Sequence, residues 1–426
     1  MKWSFTSPDG IGDFLLRLPW LIAMESHGWK LQLLGREPTL ELARLAGLKA
    51  DMVLLRLNPY SKEPRKYRNP FARELKAIRK FQPDLLFFGP SQPSFLEEEI
   101  VRLLPDLQLA GFVVEANFWP SEGNEDPRDL VKKYSIRIPI SPTMSEPARN
   151  EEAASKLLRK KIVLTPFQFP RRTFQSPKKL FHSLGIVPKD YFIVSPGYRA
   201  GDYFQGWGEE NWGRELKMLE EITDASFLFT GSTSEEASNR LIFSKLQHQE
   251  RHYNLTGKLH SLKLVGELLA HANGYIGKDS GTMHFAAALR KPVLVVMGGG
   301  TWGRFSPVGT KSVIITVALP CRGCHWRCPF EEPYCVRLLQ EGSLLRGWEE
   351  LQKISSSTSL LLEQPLDDSE TTMITSIDYE NFRSQIYHER RKNLQHERKL
   401  LFQPWYKKLS LEKLRNLFSN HLYDHQ

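Results

Sequence analysis

Short apolar runs, each closed by small or polar residues and followed by a helix-spaced pattern, recur along most of the chain. In the first half the runs at residues 3–6, 31–34, 52–55, 85–88 and 111–114 predict strands. The first leads through Ser7-Pro8-Asp9-Gly10-Ile11-Gly12 into an apolar helical pattern from Asp13 to Met24. Strand, glycine-containing turn and helix open a βαβ unit. The alternation predicts parallel strands joined by right-handed crossovers. Between residues 141 and 179 it loosens under Pro142, Pro147, Pro166, Pro170 and Pro177, with a helix expected over 151–161. The later part of that stretch is the expected interdomain connection.

The same alternation restarts at residues 191–195 and continues at 226–230, 274–277 and 292–297. Each run ends in small or polar residues, and open α/β sheets bind ligands at such strand ends. From residue 344 the pattern changes to a polar loop and then a charged, helix-like stretch over 378–401. Phe402, Trp405, Tyr406 and further apolar residues follow it among basic ones. Two readings stand: helices packed on the domains with a solvated face, or a surface that docks on a membrane. The expected organisation is two α/β domains, 1–175 and 176–343, and a mainly helical extension, 344–426.

With 426 residues the chain exceeds what one core normally supports, in line with two domains. A composition 41% hydrophobic and 25% charged is that of a globular protein. No apolar stretch is long enough to span a bilayer, and the opening residues lack a secretory pattern, so a cytoplasmic protein is expected. The net charge of +9 favours anionic partners. No nucleic-acid signature accompanies the basic residues, which points to phosphorylated ligands or an anionic membrane surface.

The most informative turn is Gly277-Lys278-Asp279-Ser280-Gly281-Thr282-Met283-His284, followed by an alanine-rich helix. The first amides of that helix have no partner within it and carry the positive end of its dipole. Ser280 adds a hydroxyl, and Gly281 lets a ligand approach the backbone. This suits a diphosphate. On spacing alone, an ordinary helix cap fits equally well.

Residues 279–288 resemble the donor-site motif of the heptosyltransferase family (glycosyltransferase family nine). These bacterial enzymes move heptose from ADP-heptose onto the lipopolysaccharide core. The run Lys291-Pro292-Val293-Leu294-Val295-Val296-Met297-Gly298 continues that resemblance. So do Gly10-Ile11-Gly12-Asp13-Phe14-Leu15-Leu16-Arg17-Leu18-Pro19 near the start and the cysteine spacing before Val336. The resemblance implies a GT-B fold, with two Rossmann-like domains facing a cleft. The acceptor would bind the first domain and the nucleotide-sugar, ADP-linked by preference, the second. It implies inverting transfer by single displacement with no metal required. The acceptor would be an anionic glycolipid or glycan of the cell envelope, met at the inner-membrane surface.

Inverting transfer needs a base. Asp13 matches the family's catalytic aspartate, although from position alone it could cap the helix it begins. Gly12 and Arg17 fall on the acceptor side, although from position alone Arg17 reads first as a surface arginine. On the donor side the resemblance assigns Asp279, Ser280, Gly281, Thr282, Met283 and His284 to the diphosphate. A family lysine position holds Gln205 here, and Arg199 could supply the missing cation with altered geometry. Glu235 could accept from ribose hydroxyls or be a solvated first-turn glutamate. Cys321, Cys324, Cys328 and Cys335 have a spacing compatible with structural zinc or with reduced thiols. Two other functions share this architecture: a nucleotide-sugar epimerase and a non-catalytic nucleotide-sugar-binding protein.

Overall fold

The computed structural model describes residues 1–365 apart from 62, 91–93, 115–126, 142–143, 189, 200–205, 320, 325–327, 329, 331 and 356–357. The chain divides into two compact units. One comprises Met1–Thr173 with Ser261–Lys263, the other Phe174–His260 with the chain from Leu264 on.

The first unit is a six-stranded parallel sheet of β1 (Lys2–Ser7), β2 (Lys30–Gly35), β3 (Ala50–Leu54), β4 (Leu85–Phe88), β5 (Leu109–Val114) and β6 (Ile136–Ile140). Its order is β3-β2-β1-β4-β5-β6, so the direction of winding reverses between β1 and β4. Strands buried on both faces read as continuous apolar runs, and Leu85-Leu86-Phe87-Phe88 is wholly buried. On one face Trp3, Phe5, Trp20, Phe87 and Phe112 form an aromatic cluster, with Trp20 edge-on to Phe5 at 5.1 Å and to Phe87 at 4.7 Å. Trp20 comes from helix α1 (Ile11–Ser26), whose buried stripe includes Phe14, Leu18 and Leu21. Pro19 lies inside α1 and cannot donate to the preceding turn. Beside this gap Asn150 donates to the Leu16 carbonyl at 3.0 Å.

The same unit contains the helices α2 (Glu37–Leu45), α3 (Ala72–Phe81) and α4 (Phe95–Leu103). A capping box starts α4: Ser94 accepts from its first turn and Glu97 accepts from the Ser94 amide at 2.9 Å. Helix α5 is Pro127–Lys132, and α6 (Glu146–Leu158) packs along α1.

The second unit holds β7 (Tyr191–Ser195), β8 (Ser226–Phe229), β9 (Tyr253–Asn254), β10 (Gly274–Lys278), β11 (Val293–Val296), β12 (Ser312–Val317) and β13 (Ser359–Gln364). All pair in parallel in the order β13-β12-β11-β10-β7-β8-β9, reversing between β7 and β10. Its helices are α7 (Lys178–Leu184), α8 (Glu209–Glu220), α9 (Glu236–Phe243), α10 (Leu262–His271), α11 (Gly281–Ala288), α12 (Tyr334–Arg337) and α13 (Ser343–Lys353). Trp207 and Trp212 are buried and pack edge to face, 5.2 Å apart.

Two differences from the sequence pattern stand out. Strands β6, β9, β12 and β13 were not anticipated. Helix α13 and strand β13 lie in the stretch read as the start of a C-terminal extension, yet they complete the second sheet. The helical stretch expected over 378–401 and the aromatic residues after it lie outside the described residues.

Candidate functional site

Each sheet brings chemistry to its own reversal point, where crossovers diverge and leave a crevice at the carboxyl ends of the strands.

In the first unit this end is built from Thr6 and Ser7 of β1, the turn after it, and the start of α4. Gly89 follows β4 so closely that a side chain there would begin 2.2 Å from the Thr6 carbonyl, and its own amide donates to that carbonyl at 3.1 Å. Across this junction Thr6 donates to Glu97 Oε1 at 2.9 Å. Glu97 is completely buried, and burial pushes its carboxyl up to about 7 against the hydrogen bonds from Ser94 and Thr6.

Asp13 stands in the first turn of α1, about a quarter exposed. It does not cap the helix: Gly10 occupies the cap position, and no side chain bonds there. Gly12 is buried in the same turn. Arg17, one turn on, is not a surface residue but completely buried. Its guanidinium binds the Asp9 carboxylate directly, Glu146 of α6 at 3.3 Å, the Ser7 hydroxyl at 3.3 Å and Asp13 at 3.9 Å. Burial alone would lower its pKa, but Asp9, Glu146 and Asp13 together raise it, so the charge is permanent. Asp9 also accepts from the Tyr60 hydroxyl at 2.5 Å. Buried in this way, Arg17 bonds protein carboxylates instead of meeting an acceptor directly. Asp9, Tyr60 and Glu146 belong to the cluster without having been singled out by the sequence.

In the second unit the reversal point is the β10–α11 turn. Asp279 is half-buried, accepts from Thr301 at 2.9 Å, and is pushed by desolvation up to about 6. Ser280 holds the cap position, but its hydroxyl is engaged with the Tyr275 hydroxyl at 3.0 Å and does not cap. The reading of this turn as an ordinary side-chain cap is thereby corrected, and the first amides of α11 remain available for an anion. Gly281 and Thr282 are half-buried beside it. Met283 and His284 face inward: Met283 is wholly buried, and the His284 ring lies edge-on to Phe305 with centres 6.3 Å apart.

Glu235, after β8, spends one oxygen on its own turn, accepting from the Ser232 amide and hydroxyl at 2.8 Å each. Its other oxygen lies 3.7 Å from Nζ of Lys278, the last residue of β10. Since β7 lies between β10 and β8, this ion pair spans the carboxyl end of β7. A buried ammonium thus stands at the crevice beside the start of α11. The signal for Lys278 was present in the sequence as a charge closing a buried strand, next to a motif that drew attention to itself. Glu236 is exposed, which separates it from Glu235. Arg199 is exposed, and Gln205 lies outside the described residues.

Among the described residues no group of three or more His, Cys, Asp or Glu could hold a metal ion. Cys321, Cys328 and Cys335 are instead buried in the second core, and Cys324 is half-buried. Burial pushes the Cys335 thiol up to about 12, which keeps it protonated.

Comparison with known proteins agrees with these features. Residues 149–334 match the family model of glycosyltransferase family 9 (heptosyltransferase). A stretch of 111 residues is 29% identical to lipooligosaccharide heptosyltransferase 2 of Haemophilus ducreyi, covering 26% of this chain and 32% of that relative. The chain thus aligns with about a third of the length of that curated relative. The structure of E. coli ADP-heptose LPS heptosyltransferase II superposes with a TM-score of 0.60 at 15% identity, covering 82% of this chain and 98% of that one. E. coli heptosyltransferase WaaC with ADP-2-deoxy-2-fluoro heptose superposes at 0.54 and 18% identity, covering 82% and 99%. The resemblance read from the motifs is borne out, and the fold is that of these GT-B enzymes.

Proposed function

We propose that this protein is an inverting glycosyltransferase that moves heptose from ADP-heptose to a lipopolysaccharide-core acceptor. The observation that carries the reading is the β10–α11 turn. Helix amides, Ser280 and the Lys278 ammonium gather there at the reversal point of a nucleotide-binding type of sheet. The turn lies inside the stretch that matches the heptosyltransferase family model.

In the proposed step an acceptor hydroxyl oxygen attacks the anomeric carbon of the heptose. The bond from that carbon to the diphosphate oxygen breaks, and the hydroxyl proton passes to the Asp13 carboxylate. Charge developing on the departing diphosphate is met by the first amides of α11 and by Lys278, fixed in place before the reaction. This supply of positive charge from the protein is the reason to expect turnover without a metal ion. An anionic, membrane-borne acceptor fits the net charge of +9. Among the described residues no helix is long and apolar enough to cross a membrane. A cytoplasmic enzyme that meets the inner-membrane surface from one side is part of the same proposal.

The test is ADP release from ADP-heptose with heptose-deficient lipopolysaccharide, in the presence of a chelator. Asp13→Asn should lower turnover about 100-fold or more while leaving ADP binding intact. Full activity of Asp13→Asn would remove the base assignment. Conversion of the donor without acceptor would indicate an epimerase, and binding without any reaction a non-catalytic protein.

A further inference from the structure

Glycosyl transfer by single displacement asks one carboxylate to remain ionised among others. The first unit concentrates negative charge around α1: Asp9 before it, Asp13 within it, and Glu146 at the start of α6. Arg17 stands at the centre of the three. Their exposures differ in an instructive way. Glu146 is 1% exposed, Asp9 15% and Asp13 24%. Asp9 is tied down a second time by Tyr60. Glu146 lies 4.0 Å from Arg149 as well. Asp13 is therefore the member of the trio that best reaches solvent, and its contact with the guanidinium is the longest.

We propose that Arg17 is a positioning residue for the transfer: Asp9 and Glu146 lock its guanidinium in place, and the guanidinium in turn holds the Asp13 carboxylate in position as an anion. The inference rests on the reading of Asp13 as base. A buried charge without partners is costly, so a guanidinium this deep stays only where carboxylates surround it. Its planar fork presents several donors in a fixed geometry, whereas an ammonium on a flexible stem does not hold its partners in set directions. Two effects then compete at Asp13. Arg17 favours the ionised form, while Asp9 and Glu146 favour protonation; Glu97, beyond Tyr60, carries no charge in the range where an aspartate titrates and weighs on neither side. Arg149 opposes Glu146 from its own helix.

These opposing effects predict shifts of opposite sign. Removing the cation, Arg17→Gln, should raise the pH at which Asp13 titrates by about one unit or more. Removing the flanking anion, Glu146→Gln, should lower it. Arg17→Lys retains the charge and should leave the titration point near its original value. It should still lower kcat more than it raises KM, because an ammonium on a flexible stem does not keep the charge fixed by Asp9 and Glu146 beside Asp13.

The titration is followed by ¹³C resonances of protein labelled at aspartate Cγ, with Asp13→Asn assigning the signal. The acid limb of ADP release from ADP-heptose is measured in parallel and should move with it, upward for Arg17→Gln and downward for Glu146→Gln. Thermal melts confirm folding of each variant. If Arg17→Gln does not fold, the downward shift in Glu146→Gln and the kcat loss in Arg17→Lys decide the matter. An unmoved titration, or shifts of the same sign in Arg17→Gln and Glu146→Gln, would overturn the proposal. Expected carboxyl shifts without any turnover by the parent protein would leave the Arg17 network standing and defeat the glycosyltransferase reading instead.

Discussion

At the scale of single residues, two buried charges near the end of β1, Arg17 and Glu97, are set by contacts with residues far away in the chain. Arg17 follows Asp13 by one helical turn among leucines, where a charge ordinarily marks the solvated face. Its burial depends on Glu146, 129 positions away, and no local pattern reports such a pairing. Glu97 was silent for the same reason: within its helix it is one of three consecutive glutamates, and only folding directs it at Thr6. That burial has a measurable consequence. The folded carboxyl titrates at about 7 against 4.5 for an ordinary one. Between those values the unfolded chain releases a proton that the folded protein retains, so stability falls as pH rises through the window and levels off above it. The full effect approaches about 3 kcal/mol. Glu97→Gln retains acceptors and donors for Ser94 and Thr6 without the charge. Its melting temperature relative to the parent should climb from pH 4.5 to 7 and then stay level. A difference independent of pH would show that Glu97 is not protonated in the folded protein.

At the scale of elements, the central strands were legible because strands covered on both faces are nearly continuous apolar runs. Strands β1, β4, β7, β8 and β10 all appeared in the pattern, and the reversal points follow from their order. Edge strands were not legible: β13 alternates between exposed and half-buried positions, and β9 is two residues long. The β10–α11 turn was found through its motif, but its cation was found only through the fold. Lys278 reaches Glu235 across the end of β7, a relation that strand order creates and spacing does not contain. If this ammonium serves the diphosphate, its loss should be felt by phosphates alone. Lys278→Met should weaken ADP binding about tenfold, the value of one charge-assisted contact. Binding of adenosine should be unchanged. Calorimetric titration with both ligands checks this. Equal weakening of ADP and adenosine would mean that Lys278 merely supports the loop around Glu235.

At the scale of the whole molecule, the boundary after residue 343 is where the sequence pattern and the folded chain part. The pattern changes there because a polar serine-rich loop follows closely, yet the core does not end. Leu344 and Leu351 of α13 are buried in the second core, and Trp348 packs edge-on to Phe192 of β7 at 4.9 Å. Gly347 lies so near the sheet that a side chain there would begin 2.6 Å from Ile315 and 2.7 Å from Leu294. Glu215 of α8 accepts from the amides of Gly342 and Leu344 at 2.8 and 2.9 Å, bonding to the start of α13. Strand β13 then pairs with β12 along its full length. A chain ended after residue 343 loses two buried leucines and a packed tryptophan. Their absence costs about 5 kcal/mol or more, comparable with the whole stability of a typical domain. It also leaves the Glu215 carboxylate without the Leu344 amide and exposes β12 as an apolar edge. A chain ended after Pro365 keeps all of these contacts. The shorter chain should therefore aggregate or melt without a cooperative transition. The longer one should unfold cooperatively and still bind ADP. Calorimetry on the two chains separates the outcomes, and cooperative unfolding of the shorter one would mean that the second core closes without α13 and β13.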